Sequence, residues 1–200
     1  QKTEVPWSGH PDGRHLAILE YDTSADQGYD VRIVNLTGDD RTGGKAGETT
    51  NFQGTRFDEG SSSFSPDGRW LAYNSNDSEQ WQVFVRSFPG GGGMKQISIE
   101  GLGSGWPTWS QTNQELFFTT ADAPGSGERQ IFTVKYRIDE GVFTPDRPVR
   151  WEGGTAFEPP YIASYDLHPD GERLLVRSLA DVNDIEQTFD HVVLFENFFD

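Results

Sequence analysis

Apolar residues in this chain gather in short dense runs separated by Gly, Asn, Asp and Pro, with almost no sustained stripe at helical spacing. LAIL from Leu16, WLAY from Trp70, VFV from Val83, LFF from Leu116, LLV from Leu174 and VVLF from Val192 are apolar nearly throughout. Strands read this way when both faces of their sheet are covered, whereas a β-sandwich leaves one face wet and its strands alternate. The pattern therefore predicts an all-β chain of stacked sheets, with a sandwich as the second choice. Doubly wound α/β architecture is excluded by the missing crossover helices. One stretch departs from this, Asp181 to Asp190, where Val182, Ile185 and Phe189 predict a helical turn.

The runs follow a repeated turn. Pro11-Asp12-Gly13 precedes HLAILE from His15, Pro66-Asp67-Gly68 precedes WLAYNS from Trp70, and Pro169-Asp170-Gly171 precedes ERLLVRS from Glu172. A degenerate copy, Gln111-Thr112-Asn113, leads into ELFF from Glu115. Proline presets φ at the second turn position, aspartate bonds the local backbone, and the last position calls for φ > 0. Gly13, Gly68, Asn113 and Gly171 are thus expected at equivalent left-handed positions, with Asp12, Asp67 and Asp170 as turn formers. The spacing between turns is blade-sized. Third strands are expected at YDVRIVNL from Tyr29, QWQVFVRSF from Gln80, QIFTVKYRI from Gln130 and HVVLFENFF from His191. Outer strands are expected at ETTNFQ from Glu48, MKQISIE from Met94 and RPVRWEG from Arg147. The expectation is a β-propeller of four-stranded antiparallel blades, about four of them, in a single region 1–200 with approximate blades 1–55, 56–101, 102–153 and 154–200. The four blades either belong to a partial or open propeller, whose free blade edges would promote self-association, or close unaided.

The repeated turns and their flanking runs resemble the TolB-like and WD-repeat-like propellers of bacteria. The likeness runs from about Val5 to Phe199 and is strongest from Phe57 to Ser98, FDEGSSSFSPDGRWLAYNSNDSEQWQVFVRSFPGGGGMKQIS. It continues through GWPTWSQTNQELFFTT, VFTPDRPVRWEGG and YDLHPDGERLLV to HVVLFENFF. Within this group the chain is most similar to the C-terminal propeller of bacterial transmembrane, eukaryotic-like serine/threonine kinases. It departs from the pattern at Gly9-His10, where the second repeat has Phe64-Ser65, and at the missing Pro-Asp-Gly of the third repeat. The resemblance implies a non-catalytic sensing or protein-interaction module, periplasmic or otherwise extracytoplasmic, forming the end of such a kinase. The alternatives are a free-standing TolB-like periplasmic scaffold and the accessory propeller of a hydrolase. Kinase activity in these residues is not expected, since no glycine-rich loop with a strand lysine, no HRD-type loop and no DFG is present.

Charge narrows the partners. With 32 acidic and 16 basic residues the net charge is −16, which repels nucleic acid and anionic membrane surfaces. No nucleic-acid partner and no direct membrane insertion are expected; the partner is a protein or a small polar ligand. The absence of cysteine removes disulfides, thiolate metal ligands and a thiol nucleophile.

Candidate chemistry is sparse. There is no GxSxG elbow; Ser104 lies between Gly103 and Gly105, in a loop leading to an inner strand. His10, His15, His168 and His191 form no HExxH-like pair, and His10 and His168 precede turns, so no metal and no cofactor are expected. The acidic clusters lack a DxDxDG calcium loop, and the Gly90–Gly93 run lacks the Lys-Ser/Thr of a phosphate cradle. The remaining candidates lie where the innermost strands begin, because those segments of a propeller face its channel. Asp58, Glu59, Ser104, Trp106 and Tyr161 are the expected ligand-binding positions at the channel mouth, with no catalytic residue among them.

Overall fold

The computed structural model describes residues 2–22, 27–38, 45–53, 55–90, 92–99, 103–121, 128–157, 163, 165–171, 173–177 and 192–195. The helical turn expected at Asp181 to Asp190 lies outside the described residues. Sixteen strands and no helix are found among the described residues. They form antiparallel sheets in which paired strands are consecutive in the chain but for one, Val149–Phe157, which pairs with Glu128–Asp139 across the intervening short strand Val142–Pro145. The chain divides into two compact units, Gln1–Pro107 and Thr108–Asp200.

In the first unit, β1 (Lys2–Gly9), β2 (His15–Asp22), β3 (Gln27–Thr37) and β4 (Lys45–Asn51) form one sheet, and β5 (Glu59–Phe64), β6 (Trp70–Ser75), β7 (Gln82–Ser87) and β8 (Lys95–Gln96) form the next. Ala17, Val31 and Ile33 of the first sheet pack with Phe64, Leu71, Tyr73 and Phe84 of the second, and Phe52 and Phe88 flank the cluster. Sheet-on-sheet burial explains the continuous apolar runs: all of Trp70, Leu71, Ala72 and Tyr73 are buried.

The next sheet begins with β9 (Ser104–Trp109), which leads into the second unit, followed by β10 (Glu115–Ala121), β11 (Glu128–Asp139), β12 (Val142–Pro145) and β13 (Val149–Phe157). It has five strands where four were expected, and β13 runs beyond the blade limit expected at 153. The extra strand arises at Glu140-Gly141, whose φ of 50° and 79° close a two-residue hairpin between Asp139 and Val142. Two consecutive left-handed residues match the twist of the flanking strands, which is why so short a loop works here. A last sheet contains β14 (Tyr165–Leu167), β15 (Leu174–Arg177) and β16 (Val192–Phe195). Trp109, Tyr136 and Phe143 pack in this unit, with Trp109 edge-on to Tyr136 at 5.2 Å and Tyr136 stacked on Phe143 at 4.9 Å.

Three turns share one construction. The amide of Gly13, Gly68 or Gly171 donates to the carbonyl of His10, Ser65 or His168, at 3.0, 2.9 and 2.9 Å. These glycines have φ of 68°, 71° and 78°. Asp12 and Asp67 accept from the amides of Arg14 and Arg69, at 2.7 and 3.1 Å. The third turn differs from the expectation, because Asn113 is not left-handed. The Ser110 hydroxyl takes the place of the carbonyl and accepts from the Asn113 amide at 3.1 Å, so this turn closes without φ > 0.

Candidate functional site

The innermost strands of the first unit are irregular. The β1–β2 register shifts between Pro6 and Ser8, setting Trp7 out of step, and the β5–β6 register shifts between Gly60 and Ser63. Ser61 and Trp106 hold the same place five residues before their turn's second residue, and both are left-handed, with φ of 40° and 56°. Bulges of this kind re-aim side chains at strand edges and near binding sites. Here they bring Trp7 of β1 and Trp106 of β9 into a stack, with centroids 5.6 Å apart and planes 22° from parallel. Both indoles are half-buried, leaving an aromatic surface within reach of solvent.

Adjacent carboxylates at the start of β5 meet opposite fates. Asp58 is committed to the framework: Oδ1 accepts from the Tyr29 amide at 2.8 Å and Oδ2 from Asn76 Nδ2 at 3.0 Å. Glu59 is fully buried. Its Oε1 accepts from the Thr55 hydroxyl, while Oε2 is buried without a hydrogen-bond partner. Burial pushes its carboxyl up to about 7, the Thr55 bond opposes this, and the charges of Asp30, Asp58 and Asp77 add to it. Burial also raises Asp30, assisted by Glu20 and Asp58. A buried carboxyl of this kind changes charge near neutral pH.

Ser104 is buried and its amide donates to the Trp81 carbonyl at 2.6 Å, which fixes the start of β9. The Asn74 side chain reaches between two glycine backbones: a Cβ at Gly60 would lie 3.1 Å from its Oδ1 and one at Gly105 3.2 Å from its Nδ2. Asn74 Oδ1 is a second buried acceptor without a partner. Of the expected channel-mouth positions, Asp58, Glu59, Ser104 and Trp106 thus belong to the first unit, and Tyr161 lies outside the described residues. Sequence reasoning missed Trp7 and Asn74. Trp7 sits four residues before its turn's proline, one fewer than the spacing of Ser61 and Trp106, because the register shift between Pro6 and Ser8 displaces it. Three metal-ligating side chains come together among the described residues at His10, Asp12 and His15, on the first turn.

No family model and no curated protein matches the sequence. Among solved structures the chain is similar to TolB from Acinetobacter baumannii, at 16% identity and a TM-score of 0.56, over 98% of this chain and 41% of that one. It is similar also to a protein assigned as TolB from Agrobacterium tumefaciens, at 18% identity and a TM-score of 0.55, over 74% of this chain and 50% of that one. The chain spans half or less of the length of these proteins. At such identity the likeness bears on fold, and the fold is that of a TolB-like β-propeller, its antiparallel sheets being blades.

Proposed function

We propose that this chain is a non-catalytic β-propeller module for protein interaction or sensing, working outside the cytoplasm. The observation that carries this reading is the Trp7–Trp106 stack, a half-buried aromatic pair held on irregular inner strands. Left-handed φ at a tryptophan is costly, and strain of this kind persists where surrounding structure holds a side chain for use. Stacked indoles supply rigid contact area at low entropic cost, as aromatic anchors do at interfaces. Within this reading, the motifs between Phe57 and Ser98 favour the C-terminal, extracytoplasmic part of a bacterial transmembrane serine/threonine kinase over a free-standing TolB-like scaffold.

A photo-crosslinking residue placed at Trp106 in the producing cells tests the module. The control position is Val142, 56% exposed on β12. A discrete adduct at position 106 that disappears with Trp7→Ala is expected, and equal labelling at both positions overturns the reading. The finer assignment is read from the complete open reading frame. A kinase domain and one membrane span upstream are expected; a signal peptide alone selects the scaffold instead.

A further inference from the structure

The turn His10-Pro11-Asp12-Gly13-Arg14-His15 carries three metal-ligating side chains in six residues. The His10 amide donates to the His15 carbonyl at 2.9 Å, so the two histidines flank the turn as a cross-strand pair with Asp12 at its tip. His10 Nδ1 lies 2.8 Å from Asp12 Oδ1, and His15 Nδ1 lies 2.7 Å from Asp12 Oδ2. One ligand atom from each residue can be chosen so that all lie within 4.8 Å of one another.

The hydrogen bonds define what each atom can do. His10 Nε2 is 2.9 Å from the Gly68 carbonyl, which only accepts, so Nε2 carries the proton. In the neutral ring His10 Nδ1 is then the lone-pair nitrogen, where the Asp12 amide donates at 3.1 Å. That nitrogen and the Asp12 carboxylate oxygen 2.8 Å away share a cation, which can be a proton or a metal ion. A histidine whose far nitrogen is held by a backbone carbonyl, with its near nitrogen beside a carboxylate, has the outer-shell support that metal ligands characteristically have.

The fourth repeat shows how the same turn is satisfied when the chain carries its own cation. There His168 Nδ1 lies 2.9 Å from Asp170 Oδ2, and Arg173 stands in the register place of His15. Its Nε donates to Asp170 Oδ2 at 2.7 Å, and its Nη2 lies against the His168 ring, 3.0 Å from Nδ1 and 2.8 Å from Nε2. The guanidinium is permanently charged, and the first turn substitutes a second imidazole, whose lone pair is a ligand. The first site is also pre-shaped. The His10 ring meets Phe64 edge-on at 4.9 Å and Phe88 at 5.0 Å, and the His15 ring meets Phe88 at 5.4 Å. Side-chain exposures of 12%, 30% and 35% for His10, His15 and Asp12 leave an approach for an ion while the rings stay packed.

We propose that His10, Asp12 and His15 bind a divalent transition-metal ion through the two Nδ1 atoms and the Asp12 carboxylate. Two imidazoles and one carboxylate suit zinc, nickel or cobalt; calcium and magnesium prefer all-oxygen sets. Three protein ligands leave a coordination position for water or for a group brought by a partner.

Calorimetric titration of the metal-stripped full chain with zinc chloride tests the site, with cobalt absorption as a second readout. One ion per chain is expected. His15→Arg copies the fourth repeat, supplying a built-in cation, so it keeps the turn folded while lowering zinc affinity by more than about tenfold. Asp12→Asn weakens binding likewise, and His168→Ala leaves it unchanged. Parent-like zinc affinity in His15→Arg, or no one-to-one binding by the parent, overturns the proposal; tetrahedral or octahedral cobalt bands lost in His15→Arg support it.

Discussion

Asp58 and Asn76 grip each other at both ends: the Asp58 amide donates to Asn76 Oδ1 at 2.9 Å, and Asn76 Nδ2 donates back to Asp58 Oδ2 at 3.0 Å. The other carboxylate oxygen accepts from the Tyr29 amide of β3, so one side chain ties the first sheet to the second. Asp58→Ala leaves these donors without their acceptor, a loss of about 1–3 kcal/mol for buried polar groups. Urea unfolding is expected to show that loss. Gly28→Ala is expected to lower stability through the same contact, because a Cβ there would lie 1.7 Å from Asp58 Oδ1.

Gly13 and Gly68 have nearly the same φ but different surroundings. A Cβ on Gly13 meets nothing within 4 Å, whereas one on Gly68 would lie 2.4 Å from His10 Nε2. Gly13→Ala therefore carries only the left-handed penalty of about 1–2 kcal/mol. Gly68→Ala adds the displacement of His10 and its bond to the Gly68 carbonyl, a further cost of about 1 kcal/mol. Equal midpoints for the two variants in urea would show that the His10 contact contributes nothing.

Glu59 makes stability depend on pH. Its folded carboxyl titrates at about 7, above the ordinary 4.5, so between these values the folded chain binds more protons than the unfolded one. Its contribution is fully present below about 4.5 and is lost as pH rises through 7, at no more than about 1.4 kcal/mol per pH unit. Glu59→Gln removes this dependence while keeping an acceptor for Thr55. The variant should gain on the parent from pH 5 to pH 8 in urea unfolding, since groups common to both proteins cancel in the difference. Asp12 acts in another window. Desolvation pushes its carboxyl up, but the Arg14 amide and the two imidazoles outweigh this and hold it at about 2, so its contribution is lost only in strong acid.

The Trp7–Trp106 stack should appear as coupling. In a double-mutant cycle with Trp7→Ala and Trp106→Ala, the interaction energy is expected at about 0.5–1.5 kcal/mol. Position 106 stays left-handed in the alanine variant, so backbone strain cancels from the cycle. Additive losses would show that the indoles are neighbours without interaction. Trp106→Gly should lose the stack but recover part of the backbone strain, and so be less destabilised than Trp106→Ala.

What the sequence alone determined is local. Pro-Asp-Gly turns, apolar runs and their spacing announced the hairpins and the strand order, because turn chemistry and side-chain burial act over a few neighbouring residues. Gly13, Gly68 and Gly171 took the left-handed places that their turns require. The Glu140-Gly141 hairpin had a local signal as well, a two-residue link ending in glycine between apolar positions. The His10-Asp12-His15 cluster was also within reach, since all three residues lie on one turn.

Tertiary structure decided what depends on approach between distant segments. Asp58 and Glu59 are neighbours and alike on paper, yet Tyr29 and Asn76 satisfy one while the other is buried with an oxygen unpartnered. No periodicity places Trp7 against Trp106, ninety-nine positions apart in the chain, and no turn rule places Gly68 against the ring of His10. The physical reason is that desolvation, close packing and the charges around a buried group are set by which surfaces meet, and a residue's chain neighbours do not carry that information.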